Sequence, residues 1–90
     1  MLQKEFTIVN KLGLHARAAS SLVKVANAFD ADVNISKDEL RVNGKSIMGV
    51  LLLAASQGST IQVETDGPDE EQALAALGDL IVDGFGELEE

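Results

Sequence analysis

The chain has 90 residues, a formal net charge of −8 from 15 acidic and 7 basic side chains, and no cysteine. That length suits one small domain, residues 1–90, with enough core to fold alone; the missing thiols exclude a disulfide framework, a cysteine-ligated metal and a cysteine nucleophile. The acidic balance argues against a nucleic-acid partner, and the longest apolar run, Val50 to Ala55, is far too short to span a bilayer.

No membrane insertion is therefore expected. The absence of a basic and apolar leader pattern at the start points to a cytoplasmic protein. Leu2 to Val9 alternates as a half-buried strand, with Leu2, Phe6 and Ile8 on one face, Gln3, Glu5 and Thr7 on the other, and Lys4 interrupting the apolar side. Asn10 to Gly13 reads as a turn. From Ala16 to about Ala28 the period becomes helical: Ala19, Leu22, Val23 and Ala26 face a core, and Arg17, Ser20, Ser21, Lys24 and Asn27 fall on the other side.

His15, the single histidine, sits where the strand pattern gives way to the helix pattern, at or next to an N-cap. The first N–H groups of a helix lack intrahelical acceptors, and the macrodipole adds to their attraction for anions. Arg17 brings a permanent charge and a planar fork of donors suited to phosphate oxygens. Two readings of His15 stay open on these grounds: a phosphoryl acceptor, or a surface histidine that only caps its helix.

Asp32 to Ser36 places Val33 and Ile35 on one face, Lys37-Asp38-Glu39 reads as a turn, and Leu40 and Val42 continue the alternation, giving a hairpin. Asn43-Gly44 is a pair suited to positive φ. Ser46 then caps a short helix through about Ala55, with Gly58 available for its C-terminal turn. This helix is apolar nearly all round: Ile47, Val50, Leu51 and Ala54 make one stripe, and Met48 and Leu52 project from another side. Core filling and partner docking are both open readings of it.

Ile61, Val63 and Thr65 mark a fourth strand, and Gly67-Pro68 a turn. Asp69 is the expected cap of a long helix whose buried stripe is Ala73, Leu74, Leu77, Leu80, Ile81 and Phe85, with Gly84 and Gly86 at its end. Acidic side chains gather at Asp69-Glu70-Glu71 and at Glu87, Glu89 and Glu90. Arg17, Lys24 and Lys45 remain as the main basic island. The order βαββαβα places the chain in the α+β class, but spacing alone does not separate it from a ferredoxin-like arrangement.

Two motifs narrow these readings. Gly13-Leu14-His15-Ala16-Arg17 followed by small residues resembles the active-site motif of the histidine-containing phosphocarrier (HPr) family of the bacterial phosphoenolpyruvate:sugar phosphotransferase system. Asn43-Gly44-Lys45-Ser46-Ile47-Met48-Gly49-Val50-Leu51 resembles that family's segment around its regulatory serine. One departure is Ala18, where most members carry proline.

The resemblance implies an open-faced β-sandwich, a four-stranded antiparallel sheet covered on one face by three helices. It further implies that enzyme I, charged from phosphoenolpyruvate, delivers a phosphoryl group to Nδ1 of His15, which passes it to an enzyme IIA domain. Arg17 and the backbone N–H groups of Ala16 and Arg17 would stabilise the phosphate. Ser20, Ser21 and Lys24, with Ile47, Met48, Gly49, Leu51 and Leu52, would dock partners, and Ser46 would be the target of an HPr kinase/phosphorylase. The expected protein is a monomeric stoichiometric carrier rather than a stand-alone enzyme, with no cofactor and no metal. Two alternatives stand beside it: a regulatory HPr-like protein of the nitrogen-related branch, and a non-catalytic α+β binding module.

Overall fold

The computed structural model describes residues 1–86; the acidic positions Glu87, Glu89 and Glu90 lie outside them. The elements are β1 (Leu2–Thr7), α1 (Ala16–Ala26), β2 (Asp32–Lys37), β3 (Leu40–Asn43), α2 (Ile47–Leu52), β4 (Thr60–Asp66) and α3 (Glu70–Val82), then a 3-10 turn at Gly84–Gly86. The strands form one antiparallel sheet in the order β1-β4-β2-β3. This is the expected α+β open-faced sandwich.

The period-two pattern explains the layering. Phe6 pairs with Ile61, and Ile35 lies between Val63 and Val42, so the inward faces of the strands supply one floor of the core. Leu22, Ala26, Leu77 and Ile81 close it from the helix side, and all four are fully buried. On the other face Glu5 pairs with Gln62 and Asn34 with Glu64, and Arg41 Nε meets Glu64 Oε1 at 3.0 Å. That face is polar and uncovered. Lys4, the residue that broke the alternation, does point to the core side, but β1 is an edge strand. Its ammonium therefore reaches outward while lying 5.5 Å from the Phe6 ring centroid.

Helix boundaries depart from the periodicity. α1 stops at Ala26 rather than Ala28, because Asn27 closes it: its backbone N–H and its side-chain Nδ2 both donate to the Val23 carbonyl. α2 stops at Leu52, and Ala54, not Gly58, takes the left-handed conformation that follows, at φ 49°. Its buried residue is Val50, joined by Leu53 just past the end; Ile47, Leu51 and Ala54 are exposed, contrary to the stripe expected from sequence.

Gly44 is also used differently. Its φ is not positive; a Cβ there would lie 2.5 Å from Val33 Cγ1, and its N–H donates to the Val33 carbonyl at 2.7 Å. The packing of the Val33 side chain over this backbone is what requires glycine at this position.

Asp69 stands at the N-cap position of α3, as expected, and its carbonyl accepts from Ala73 N at 2.9 Å, but its side chain makes no capping bond. Its carboxylate accepts from the N–H groups of Asp30 at 2.9 Å and Ala31 at 2.8 Å, and so ties the α1–β2 connection to the start of α3. The Asp30 N–H, aided by that of Ala31, holds the Asp69 carboxyl below the usual aspartate range. Glu70 Oε1 accepts from Gly67 N at 3.0 Å, which likewise holds the Glu70 carboxyl low.

Candidate functional site

The site starts from a turn. Asn10 stands first and Gly13 fourth, a sequence order suited to a β-turn, and Gly13 N donates to the Asn10 carbonyl at 3.2 Å. Gly13 has φ +66°, and a Cβ there would lie 2.3 Å from the Ala55 carbonyl oxygen, so no side chain fits. Leu14 follows with its side chain buried in the core and its N–H donating to Ala55 O at 2.9 Å.

The chain then enters α1 through His15, which is the N-cap, extended at φ −75° and ψ 179°. Its carbonyl accepts the first intrahelical bond from Ala19 N at 2.8 Å. Its Nδ1 accepts from Arg17 N at 3.3 Å. An aromatic nitrogen that accepts a hydrogen bond presents its lone pair, so Nδ1 is the ring atom directed at the helix N-terminus. Ala16 and the Arg17 side chain are exposed beside it.

Along α1, Ser20 and Lys24 are exposed and Ser21 is half-buried, all on the side away from the core as expected. Ala18, at the position of the missing proline, buries its methyl group completely and keeps its N–H in the first turn.

α2 packs against α1 and β3. Ser46 is its N-cap, with Oγ accepting from Gly49 N at 3.1 Å. Gly49 is half-buried against the Asn43 carbonyl, where a Cβ would approach to 3.3 Å. Met48 is 78% exposed and Leu52 69%, with Ile47 and Leu51 also open to solvent. Leu12, on the turn before His15, is 69% exposed as well. Since Gly13 and Leu14 abut Ala55, the C-terminal end of α2 and the His15 loop lie together. Ser46 stands at the far end of α2, roughly 9 Å away along the helix axis.

The basic island does not form as expected. Lys45 Nζ donates to the Phe29 carbonyl at 2.8 Å, beyond the C-terminal end of α1, while Arg17 stands at its start. Sequence reasoning also missed Asn10, Leu12 and the Ala55 contact. Leu12 was legible as an apolar residue inside a turn, the one place where such a side chain has no core to enter.

Among the described residues no group of three or more His, Cys, Asp or Glu could hold a metal ion, and no helix is long and apolar enough to cross a membrane. The chemistry on offer is that of a half-buried imidazole at a helix N-terminus, near an exposed guanidinium and a rim of apolar side chains.

Comparison with known proteins agrees with that chemistry. The family model for the phosphotransferase-system HPr component phosphorylation site matches residues 2–83. The chain is 54% identical over 87 residues to a phosphocarrier protein HPr of Cupriavidus necator, covering 97% of this chain and 98% of the relative. It is 52% identical over the same length to one from Neisseria meningitidis, with the same coverage of each. A crystal structure of an HPr from Thermoanaerobacter tengcongensis superposes with a TM-score of 0.94 at 45% identity, covering 97% and 98% of the two chains. By sequence and by fold, the chain belongs to the HPr phosphocarrier family of the phosphotransferase system.

Proposed function

We propose that this chain accepts a phosphoryl group from enzyme I on Nδ1 of His15 and passes it to an enzyme IIA domain of a sugar transporter. The observation that carries the reading is the 3.3 Å approach of Arg17 N to Nδ1, which aims the ring lone pair along the helix N-terminus. In the transfer, that lone pair forms a bond to phosphorus while the bond between phosphorus and the donor's leaving atom breaks, its electron pair staying with the donor. Such displacements pass through a loose transition state and depend on positioning and charge stabilisation.

The residues present supply both. As the N–P bond forms, Nδ1 no longer accepts from Arg17 N, and that N–H turns to a phosphoryl oxygen. The Ala16 N–H, also without an acceptor inside the helix, and the exposed Arg17 guanidinium add two further donors. An N–P bond to imidazole keeps the group transferable to the next protein.

Partner docking belongs to the same reading. Leu12, Ile47, Met48, Leu51 and Leu52 offer apolar contact, and Ser20, Ser21 and Lys24 offer polar contact along α1. Phosphorylation of Ser46 by an HPr kinase/phosphorylase would put a dianion at the start of α2 beside Met48, where it is tolerated by the helix but repels an acidic partner. The polar, uncovered sheet face leaves no apolar layer needing a second copy, which supports a monomeric carrier. Its phosphoenolpyruvate-charged donor makes the cytoplasm the compartment we infer.

The test is incubation with enzyme I and phosphoenolpyruvate, followed by intact mass and by acid and alkali treatment. One phosphoryl group, acid-labile and alkali-stable and absent from His15→Ala, is the expected result. No addition in the presence of an enzyme I shown to be active on another carrier would overturn the reading. A parallel incubation with ATP and an HPr kinase, with Ser46→Ala as control, tests the regulatory part.

A further inference from the structure

We infer that Asn10 is a positioning residue for phosphoryl transfer at His15, an inference that rests on the carrier reading above. Two polar side chains are fully buried among the described residues, Asn10 and Thr65. Thr65 has a plain structural use, donating from Oγ1 to the Glu70 carbonyl at 3.0 Å where β4 meets α3. Asn10 lies in the turn that leads to the imidazole, flanked by exposed Val9 and Lys11.

Burying an amide in a surface turn is costly unless its hydrogen bonds are made. Asn10 Nδ2 donates to the Gly13 carbonyl at 2.8 Å, while Gly13 N donates back to the Asn10 carbonyl at 3.2 Å. The peptide groups on both sides of Gly13 are therefore fixed from one residue. The Gly13–Leu14 peptide is held twice: its carbonyl by Asn10, and its N–H, that of Leu14, by Ala55 O at 2.9 Å. The next residue is His15. With that peptide plane fixed at both ends, and the His15 carbonyl bonded to Ala19 N, the imidazole has little freedom except rotation about its own side-chain bonds.

The surrounding loop is held to the α2–β4 connection in the same manner. Ile8 N donates to Ser59 O, Gly58 N to Ile8 O, and Gln57 Nε2 to Val9 O at 3.1 Å. Ile8 and Val9 on one side and Leu14 on the other thus anchor the turn to that connection, and Asn10 braces the turn between these anchors, next to the residue that carries the reacting nitrogen. A partner seated on α2 meets Nδ1 at a defined place. Displacement of a reacting atom by about 1 Å costs up to roughly a hundred-fold in rate, and this side chain prevents that displacement.

The experiment compares full-length Asn10→Ala and Asn10→Asp with Thr65→Val. The control loses a buried hydrogen bond of the same kind roughly 17 Å away along β4. Rates of phosphorylation from phosphoenolpyruvate and enzyme I are measured against carrier concentration. The 15N resonances of the His15 ring and the Arg17 amide are recorded in the unphosphorylated proteins.

Both Asn10 variants are expected to lower kcat roughly ten- to a hundred-fold with little change in KM, and to shift the His15 ring and Arg17 amide resonances. Thr65→Val should lose stability yet keep kcat and both resonances. Wild-type kcat and unmoved resonances in the Asn10 variants would overturn the positioning role alone. Absence of phosphorylation in the wild type would overturn the carrier reading, and this proposal with it. Should neither Asn10 variant fold, amide exchange in the wild type decides: protection of Leu14 N–H comparable to the β4 amides supports the proposal, and rapid exchange overturns it.

Discussion

The Leu14 amide nitrogen lies 2.9 Å from the Ala55 carbonyl oxygen, so the residue before the histidine is bonded to the segment just past the end of α2. The contact leaves no room for a side chain at Gly13, whose φ of +66° already favours glycine. Gly13→Ala should therefore cost about 3 kcal/mol of stability, from left-handed backbone and overpacking together. Urea unfolding measures the loss, and an unchanged midpoint would contradict the described approach of the two segments.

Met48 tests the proposed docking surface separately from the fold. Its side chain is 78% exposed, so Met48→Glu should change stability by no more than about 0.5 kcal/mol. If Met48 is buried by enzyme I, the substitution removes at least about 1.4 kcal/mol of apolar contact and raises KM roughly ten-fold. Steady-state phosphorylation kinetics read this, with kcat expected to stay near the wild-type value. An unchanged KM would remove Met48 from the interface.

Acid stability follows from Asp69 and Glu70. Both carboxyls are held below their ordinary values of 3.8 and 4.5 by hydrogen bonds made only in the folded chain. A carboxyl depressed in this way stabilises the fold above its unfolded pKa, and the contribution disappears as pH falls through the folded value. The thermal midpoint of the wild type should accordingly fall as the pH drops below about 5, and that of Asp69→Asn should start lower and fall less. Parallel profiles for the two proteins would contradict the role given to the Asp30 and Ala31 amides.

Ala54 is an exposed non-glycine residue at φ 49°, just after α2. With no buried methyl to lose, Ala54→Gly relieves the left-handed strain and should stabilise the protein by about 1 kcal/mol. Denaturant unfolding checks the sign; a loss of stability would show that the alanine side chain makes a contact the conformation does not reveal.

What was legible in the sequence was whatever depends on neighbours in the chain. The alternation of Phe6 and Ile8, of Ile61, Val63 and Thr65, and the helical spacing of Ala19, Leu22, Val23 and Ala26 each record one face of one element, and each was buried as expected. His15 as a cap was legible for the same reason, because strand, turn and helix patterns meet there. Asp69 was legible as the N-cap position of α3, but the use of its side chain was not, because its partners, Asp30 and Ala31, lie nearly forty residues away, the Asp30 separation being 39, and a local rule for helix caps cannot see them. α2 was misread because its 6 residues are too few to fix a helical phase, so the burial of Val50 and Leu53 over Ile47 and Leu51 was decided by how the helix meets α1 and β3. Lys45 and Asn10 read as surface polar residues, but the fold brings the Phe29 carbonyl to Lys45 and buries the Asn10 side chain, which bonds Gly13 of its own turn.

Nδ1 of His15, which accepts from the Arg17 amide at the start of α1, is the atom proposed to carry the phosphoryl group. The direct measurement is 15N and 31P NMR on the uniformly 15N-labelled protein after phosphorylation by enzyme I and phosphoenolpyruvate. The expected result is a single phosphorus resonance coupled to Nδ1 of His15, with the Arg17 amide proton shifted as its partner changes from nitrogen to phosphoryl oxygen. Coupling to Nε2, or phosphorus on any other residue, would contradict it.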